Sequence, residues 1–172
     1  MSGLNLKIND NCPKLVKKYE GLHDGDLKQT GLQPKLCPAN IWTEGYGRAM
    51  FGKDGKFLTK ANTTKAEAEA RAVIKTEAQA EQALKEDLEE YSNRIIPFIK
   101  VPLTENQFGA CVSLAYNIGH GAFSRSSVLR FINAKDFNSA AKSFLLWNKA
   151  GGKVLPGLDR RRKEEMELFM RK

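Results

Sequence analysis

A single acid, Glu20, stands where a helical pattern runs out, in the stretch "YEGLHDGDLKQTGLQPKLCPANIWTEGYG" (residues 19–47). A carboxyl in the last turn of a helix faces the negative end of the helix dipole, which disfavours its ionised form. Partial burial beside Tyr19 and Trp42 would act in the same direction. A carboxyl kept protonated near neutral pH is what a general acid needs to protonate a glycosidic oxygen. Glycosidases that invert stereochemistry also place a base-held water opposite that acid. Position 37, where the second carboxylate is sought, holds a cysteine.

These residues need elements to hold them. Asn11 can cap a short helix through "CPKLVKKYE", with Pro13 in its first turn, Leu15, Val16 and Tyr19 on one face, and Gly21 as a left-handed stop. Residues 22–60 are rich in Gly, Pro, Asn and Asp, with short β-leaning pieces and a "DG" turn at Asp54–Gly55, which predicts a small antiparallel sheet with wide loops. Thr64 and Glu67 make a capping box that opens a long helix to about Ile95, ended by Pro97. Its middle is so polar that it is expected to bridge two lobes. Thr104 and Gln107 form a second capping box before "LTENQFGACVSLAYNIG", which is apolar nearly all round, as a central buried helix would be. Two shorter helices follow, the second capped by Asp136, with Phe144 and Trp147 as core residues. "KAGGKVLPG" reads as a loop, and a last amphipathic helix runs from about Leu158 to Met170. The expectation is a single α+β domain over 1–172. It has a β lobe at about 22–60, a helical lobe of 1–21 and 97–172, and a connecting helix at 64–96.

Composition narrows the partners. The 172 residues carry a net charge of +8, which favours an anionic partner such as nucleic acid, anionic lipid or cell-wall polymer. Residues 64–91 hold four basic and eight acidic side chains, so the positive charge is concentrated elsewhere, including the "RRRK" run Arg160–Lys163. Nucleic acid is disfavoured because no groove-entering motif or aromatic stacking pattern is present. No apolar run reaches membrane-spanning length, and "MSGLNLKIND" lacks a secretory apolar region, so synthesis in the cytoplasm is expected. Cys12, Cys37 and Cys111 are too few and too scattered for a disulfide framework or a zinc site, and Cys111 reads as core. His23 and His120 lie in loops without a partner pattern, so neither is expected to be a ligand. No metal and no cofactor are expected.

Three segments carry a resemblance. "YEGL" with "LCPANIWTEGYG" resembles the active-site signature of phage lysozymes (endolysins) of glycoside hydrolase family 24. "LTENQFGACVSLAYNIG" is similar to that family's buried-helix motif, and "WNKAGGKVLPGLDRRRKEEMELF" to its C-terminal motif. The resemblance implies a lysozyme-like fold and a muramidase that cuts the β-1,4 bond between N-acetylmuramic acid and N-acetylglucosamine in peptidoglycan. It further implies a monomer that reaches the wall through a separate holin and lyses the host from the periplasmic side. Glu20 matches the catalytic acid and Thr43 a threonine that helps hold the attacking water. Cys37 stands where many relatives have aspartate, in a place where a branch of the family has cysteine. Arg161 is the best match for the arginine that pairs with the glutamate, with Arg160 and Arg162 still open. Trp42, Tyr46 and Asn117, within the motifs, are expected to contact substrate.

Two departures from the family's pattern stand out. The step from Glu20 to Cys37 is seventeen positions, roughly twice that of relatives, and the extra "HDGDLKQTGLQPK" contributes Asp24 and Asp26. The family's "YGH" is "YGR", so Arg48 replaces a titratable histidine and cannot lose its proton. Were Arg48 and Arg161 both close to Glu20 they would weaken it as an acid, so at least one is expected to point towards substrate or solvent. The second catalytic role has three candidates. Cys37 can order water, although a thiol of pKa ~8.5 is a weak base at neutral pH. Asp24 or Asp26 can swing in, although carboxylates at a "DGD" turn are commonly turn formers. Cys37 can also act as nucleophile in a retaining route. The alternative to an enzyme is a catalytically impaired peptidoglycan-binding or scaffold protein on the same fold, supported by Cys37 and Arg48.

Overall fold

The computed structural model describes residues 3–172; Met1 and Ser2, which the expected domain includes, lie outside the described residues. The chain divides into two compact units, one of Glu20–Asp87 and one of residues 3–19 with Leu88–Lys172. Helices dominate and the sheets are small and antiparallel, an α+β fold as expected.

The first unit is built on a three-stranded sheet of β1 (Lys35–Leu36), β2 (Trp42–Glu44) and β3 (Arg48–Ala49), in that order. Lys35 pairs with Thr43 and Leu36 with Trp42, while Thr43 also faces Ala49 across β3. Trp42, Met50, Leu58 and Ala68 form a small core, with Leu36 and Ala72 packed against it. The predicted capping box is present at the start of α2 (Lys65–Arg71): Thr64 and Glu67 bond reciprocally.

The single helix expected over 64–96 is instead two, α2 and α3 (Glu77–Ile95), with residues 72–76 between them non-helical. The cause lies in the sheet. Glu44 is buried on β2, and its Oε2 accepts the backbone N–H of Val73 at 2.9 Å and of Ile74 at 3.0 Å. A buried carboxylate that captures two amides removes them from the i→i−4 ladder, and β-branched Val73 and Ile74 resist little. Gln79 then accepts from the N–H of Lys75 and Thr76, and Thr76 accepts from Gln79, which restarts the helix.

In the second unit α4 (Glu105–Ile118) is buried along Phe108–Ala115, and its capping box of Thr104 and Gln107 forms as read. It packs against α8 (Pro156–Met170), and the same unit holds α1 (Asn11–Glu20) up to Tyr19, α5 (His120–Ser124), α6 (Ser127–Asn133) and α7 (Phe137–Ser143). Phe108, Phe123, Phe144 and Phe169 fill the core. Phe144 is buried as expected; Trp147 is only half-buried and sits in a 3-10 turn, Phe144–Trp147, that follows α7. The segment read as a loop contains a two-residue hairpin, β4 (Lys149–Ala150) with β5 (Lys153–Val154).

The basic run is not a solvated face. Arg161 and Arg162 are buried on α8 and close on Glu165, which is itself fully buried. Arg162 Nε lies 2.7 Å from Glu165 Oε2, Arg161 Nε 3.2 Å from Oε1, and Ser113 of α4 donates to Oε1 at 2.7 Å. Burial pushes the Glu165 carboxyl upward while the two guanidiniums pull it down. A carboxylate this deep is tolerated only because charge and hydrogen bonds surround it.

Candidate active site

Glu20 is the last residue of α1, and Gly21 at φ +70° ends the helix. The carboxylate rests against Gly47: a Cβ built there would lie 2.9 Å from Glu20 Oε2, and Gly47 adopts φ +93°. Gly47 therefore serves both the turn after β2 and the seat of the acid. Beyond Gly21 the chain folds back to the sheet, with His23 N–H donating to the Gly45 carbonyl at 2.8 Å.

The long segment is a closed loop. Asp24 Oδ1 accepts from the N–H of Asp26 and of Gln33, and Gly25 N–H donates to the Gln33 carbonyl at 3.0 Å. A Cβ at Gly25 would overlap the Pro34 carbonyl oxygen, so only glycine fits. Asp26 closes a turn of its own through the Lys28 N–H and Gln29, and pairs with Lys65 at 3.0 Å. Those partners hold its carboxyl down at about 2. After β1, Cys37 opens a tight turn in which Asn40 N–H donates to its carbonyl at 2.8 Å and Asn40 adopts φ 60°.

Glu20, His23, Asp24, Lys35 and Cys37 line one cleft of about 760 Å³, with the exposed Leu27 at its edge. The fold thus brings the acid, the cysteine and one loop aspartate together. Asp26 is not among the lining residues, and its oxygens are spent on the turn and Lys65, so the structure removes it as a candidate base. Thr43 is buried; its hydroxyl donates to the Lys35 carbonyl at 3.0 Å and lies 2.7 Å from His23 Nδ1. It meets protein partners where the resemblance implied a water.

Other expectations are corrected by burial. Trp42 is 7% exposed, packs in the sheet core and donates its indole N–H to the Thr63 carbonyl, so it offers no face to a sugar. Tyr46 is buried too, its hydroxyl directed at Glu77. Trp42 lies on β2, buried along its whole length, and Tyr46 in the turn that follows it. Asn117 is exposed in the last turn of α4. Arg48 is gripped by α3: Nε and Nη2 reach the two oxygens of Asp87 at 3.1 and 2.9 Å, and Nη2 also donates to the Ala83 carbonyl. Of the three adjacent arginines, Arg160 is exposed and Arg162 is taken up by Glu165 and the Trp147 carbonyl. Arg161 lies over the ring of Tyr19, 5.9 Å from its centroid.

The residue missed in the sequence is His23. Its ring is half-buried in the cleft wall and held by Thr43. Burial pushes its pKa below the ordinary imidazole value, opposed by the charge and backbone of Glu20. Its sequence signal is its place three residues after Glu20.

Helix-terminal acid, Gly47 seat and three-stranded sheet in an α+β chain define a lysozyme-like protein. The chain matches the phage lysozyme family over residues 18–165, and it belongs to that family. It is 36% identical over 165 residues to an endolysin of Bacillus phage B103, covering 96% of this chain and 54% of the relative. To an endolysin of Acyrthosiphon pisum secondary endosymbiont phage 1 it is 36% identical over 168 residues, covering 95% and 98%. The chain therefore spans about half the length of the first of these relatives and nearly all of the second. Among solved structures, the muramidase domain of SpmX from Asticaccaulis excentricus superposes with a TM-score of 0.73 at 31% identity, covering 98% of this chain and 100% of that one.

Proposed function

We propose that this chain is an endolysin-type muramidase that hydrolyses the β-1,4 bond between N-acetylmuramic acid and N-acetylglucosamine in peptidoglycan. The observation that carries the reading is the carboxylate of Glu20, ending α1 against Gly47 and facing the same cleft as Cys37. Glu20 acts as general acid towards the glycosidic oxygen, and Cys37 shapes the place of the water. Arg161, which lies over the ring of Tyr19, is kept as the match for the family's arginine, although it and Arg162 both close on Glu165. Asn117, exposed in a matching motif, is kept as a sugar contact. The two units work as one lysozyme-like domain, and the basic surface favours approach to the anionic wall.

The relatives' name, endolysin, supports release of the host cell by wall cleavage. With it come synthesis in the host cytoplasm, action at the wall once a holin has opened the membrane, and a monomeric enzyme. Among the described residues no helix is long and apolar enough to cross a membrane. No feature of the site favours an impaired scaffold. The test is clearing of outer-membrane-permeabilised cells with release of reducing ends from purified peptidoglycan. Wild type clears and Glu20→Gln does not; a Glu20→Gln protein that clears at near wild-type rate refutes the reading.

A further inference from the structure

We propose that His23 is a catalytic residue of this site, taking a proton from the attacking water at Nε2 while Glu20 protonates the leaving oxygen. The inference rests on the muramidase reading above and fills the role for which a second carboxylate is missing.

The geometry begins with Thr43. A hydroxyl has one proton, and the contact with the Lys35 carbonyl at 3.0 Å can only be a donation by Thr43. We assign the 2.7 Å contact with His23 accordingly, with Nδ1–H donating to Thr43 Oγ1. In the neutral ring that assignment puts the proton on Nδ1 and leaves the lone pair on Nε2, which is what a general base needs. The residue is held a second time through its backbone N–H on the Gly45 carbonyl at 2.8 Å. Ring and acid line one cleft. Burial lowers the imidazole pKa and so favours the neutral ring, the form that can accept a proton. The rival carboxylates are less suited: Asp26 is bound to Lys65, and Asp24 Oδ1 is taken by two loop amides.

The step balances. One water O–H bond breaks with its proton passing to His23 Nε2, and the water oxygen bonds to the anomeric carbon of the muramic acid residue. The bond from that carbon to the bridging oxygen breaks as Glu20 gives that oxygen its proton. Glu20 is left as carboxylate and His23 as imidazolium, and solvent exchange restores both. The charged or titratable side chains lining the cleft with His23 are Glu20, Asp24, Lys35 and Cys37. The negative charge of Glu20 favours the imidazolium and the positive charge of Lys35 opposes it. Thr43 is a positioning residue in this scheme.

The test compares wild type, Glu20→Gln, His23→Asn, Thr43→Val and the double variant of His23→Asn with Thr43→Val, on purified peptidoglycan across about pH 5 to 8. Asparagine keeps a donor where Nδ1–H was, so folding is retained and only the base is lost; melting temperatures check this. His23→Asn is expected to lose on the order of 10²-fold in rate, as for removal of a general base. The wild-type decline towards acidic pH, set by imidazole protonation, is expected to vanish with it. Thr43→Val slows the wild type but not the His23→Asn protein, and the new reducing end has inverted stereochemistry. In wild type, imidazole ¹⁵N shifts near neutral pH show a protonated Nδ1 and a bare Nε2, a readout independent of turnover. A His23→Asn protein within a few-fold of wild type with the same pH profile overturns the proposal. So does an equal Thr43→Val loss in both backgrounds, a retained anomer, or the opposite tautomer. If Glu20→Gln is inactive while His23→Asn is not, this inference alone fails; if wild type releases no reducing ends, the muramidase reading fails with it.

Discussion

Gly47→Ala separates the placement of the acid from the stability of the fold. Three turn glycines share a positive φ but differ in what an added Cβ would meet: Gly47 at +93° meets Glu20 Oε2 at 2.9 Å, and Gly45 at +60° meets Ile74 Cδ1 at 3.0 Å. Gly55, at +75°, meets nothing within 4 Å. A non-glycine residue in such a conformation costs about 1–3 kcal/mol, and in a chain of this size each kcal/mol lowers Tm by about 2–4 °C. All three alanine variants are therefore expected to lose roughly 2–12 °C. Only at Gly47 does the clash fall on the carboxylate, which must move because the end of a side chain yields before the turn does. A displacement of about 1 Å in a catalytic group costs on the order of 10²-fold in rate. Gly47→Ala should lose that factor in kcat on purified peptidoglycan at a temperature where it is fully folded. Gly55→Ala should keep wild-type kcat, and Gly45→Ala should show its loss chiefly in Tm. A folded Gly47→Ala protein with kcat within about threefold of wild type would refute the idea that this glycine seats the acid.

Glu44→Ala strips two backbone amides, that of Ile74 buried and that of Val73 partly so, of a charged acceptor, each such bond contributing about 1.5–3 kcal/mol. Hydrogen exchange at Val73 and Ile74 should accelerate well before global unfolding, and unchanged protection there would contradict the assigned cause of the helix break. Asp26→Asn should leave the rate and its pH profile near wild type, since that carboxyl is turned to Lys65; a large loss would restore it as a base. Among the cysteines, burial raises Cys12 to about 12 and pushes Cys111 further still. Iodoacetamide on the native protein should therefore label Cys37 alone by mass spectrometry, and labelling of Cys12 or Cys111 without unfolding would contradict that burial. Glu165→Leu removes the carboxylate that two buried guanidiniums share and should cost about 3–5 kcal/mol, read as a Tm drop of roughly 6–20 °C. Acidification also destabilises through His23: its folded pKa is depressed, so its contribution is full above the ordinary imidazole value and is lost as pH falls through the folded one. His23→Asn should flatten that limb of the Tm–pH curve.

What could be read in the sequence was local. Capping boxes at Thr64 and Thr104, and the stop at Gly21, depend on residues within one turn of each other, and all three formed. Glu20 and Cys37 came together because the sheet that carries the cysteine starts where the motif put it. The misses were long-range. The break after α2 is made by Glu44, 29 positions before Val73, and helix propensity in "EAEARAVIKTEAQ" gave no sign of it. His23 matters through Thr43, twenty positions on, reached only because the loop folds back. The resemblance matches Arg161 to the arginine of Glu20 and leaves Arg162 open, pairing neither with Glu165, although that carboxylate follows at helical spacing on the same face in "RRRKEE".

The loop between Glu20 and Cys37 is also a fitted part with its own sockets. Its Leu32 N–H donates to the Lys75 carbonyl at 2.8 Å, in the gap between α2 and α3, and its Asp26 holds Lys65 on α2. An unbroken helix over 64–96 would have no free carbonyl to offer at that position. The loop and the broken helix are thus a single structural unit: grafted alone into another lysozyme, the loop would arrive without its anchor. A transplant that carries residues 20–87 together has a route to bring the histidine with it.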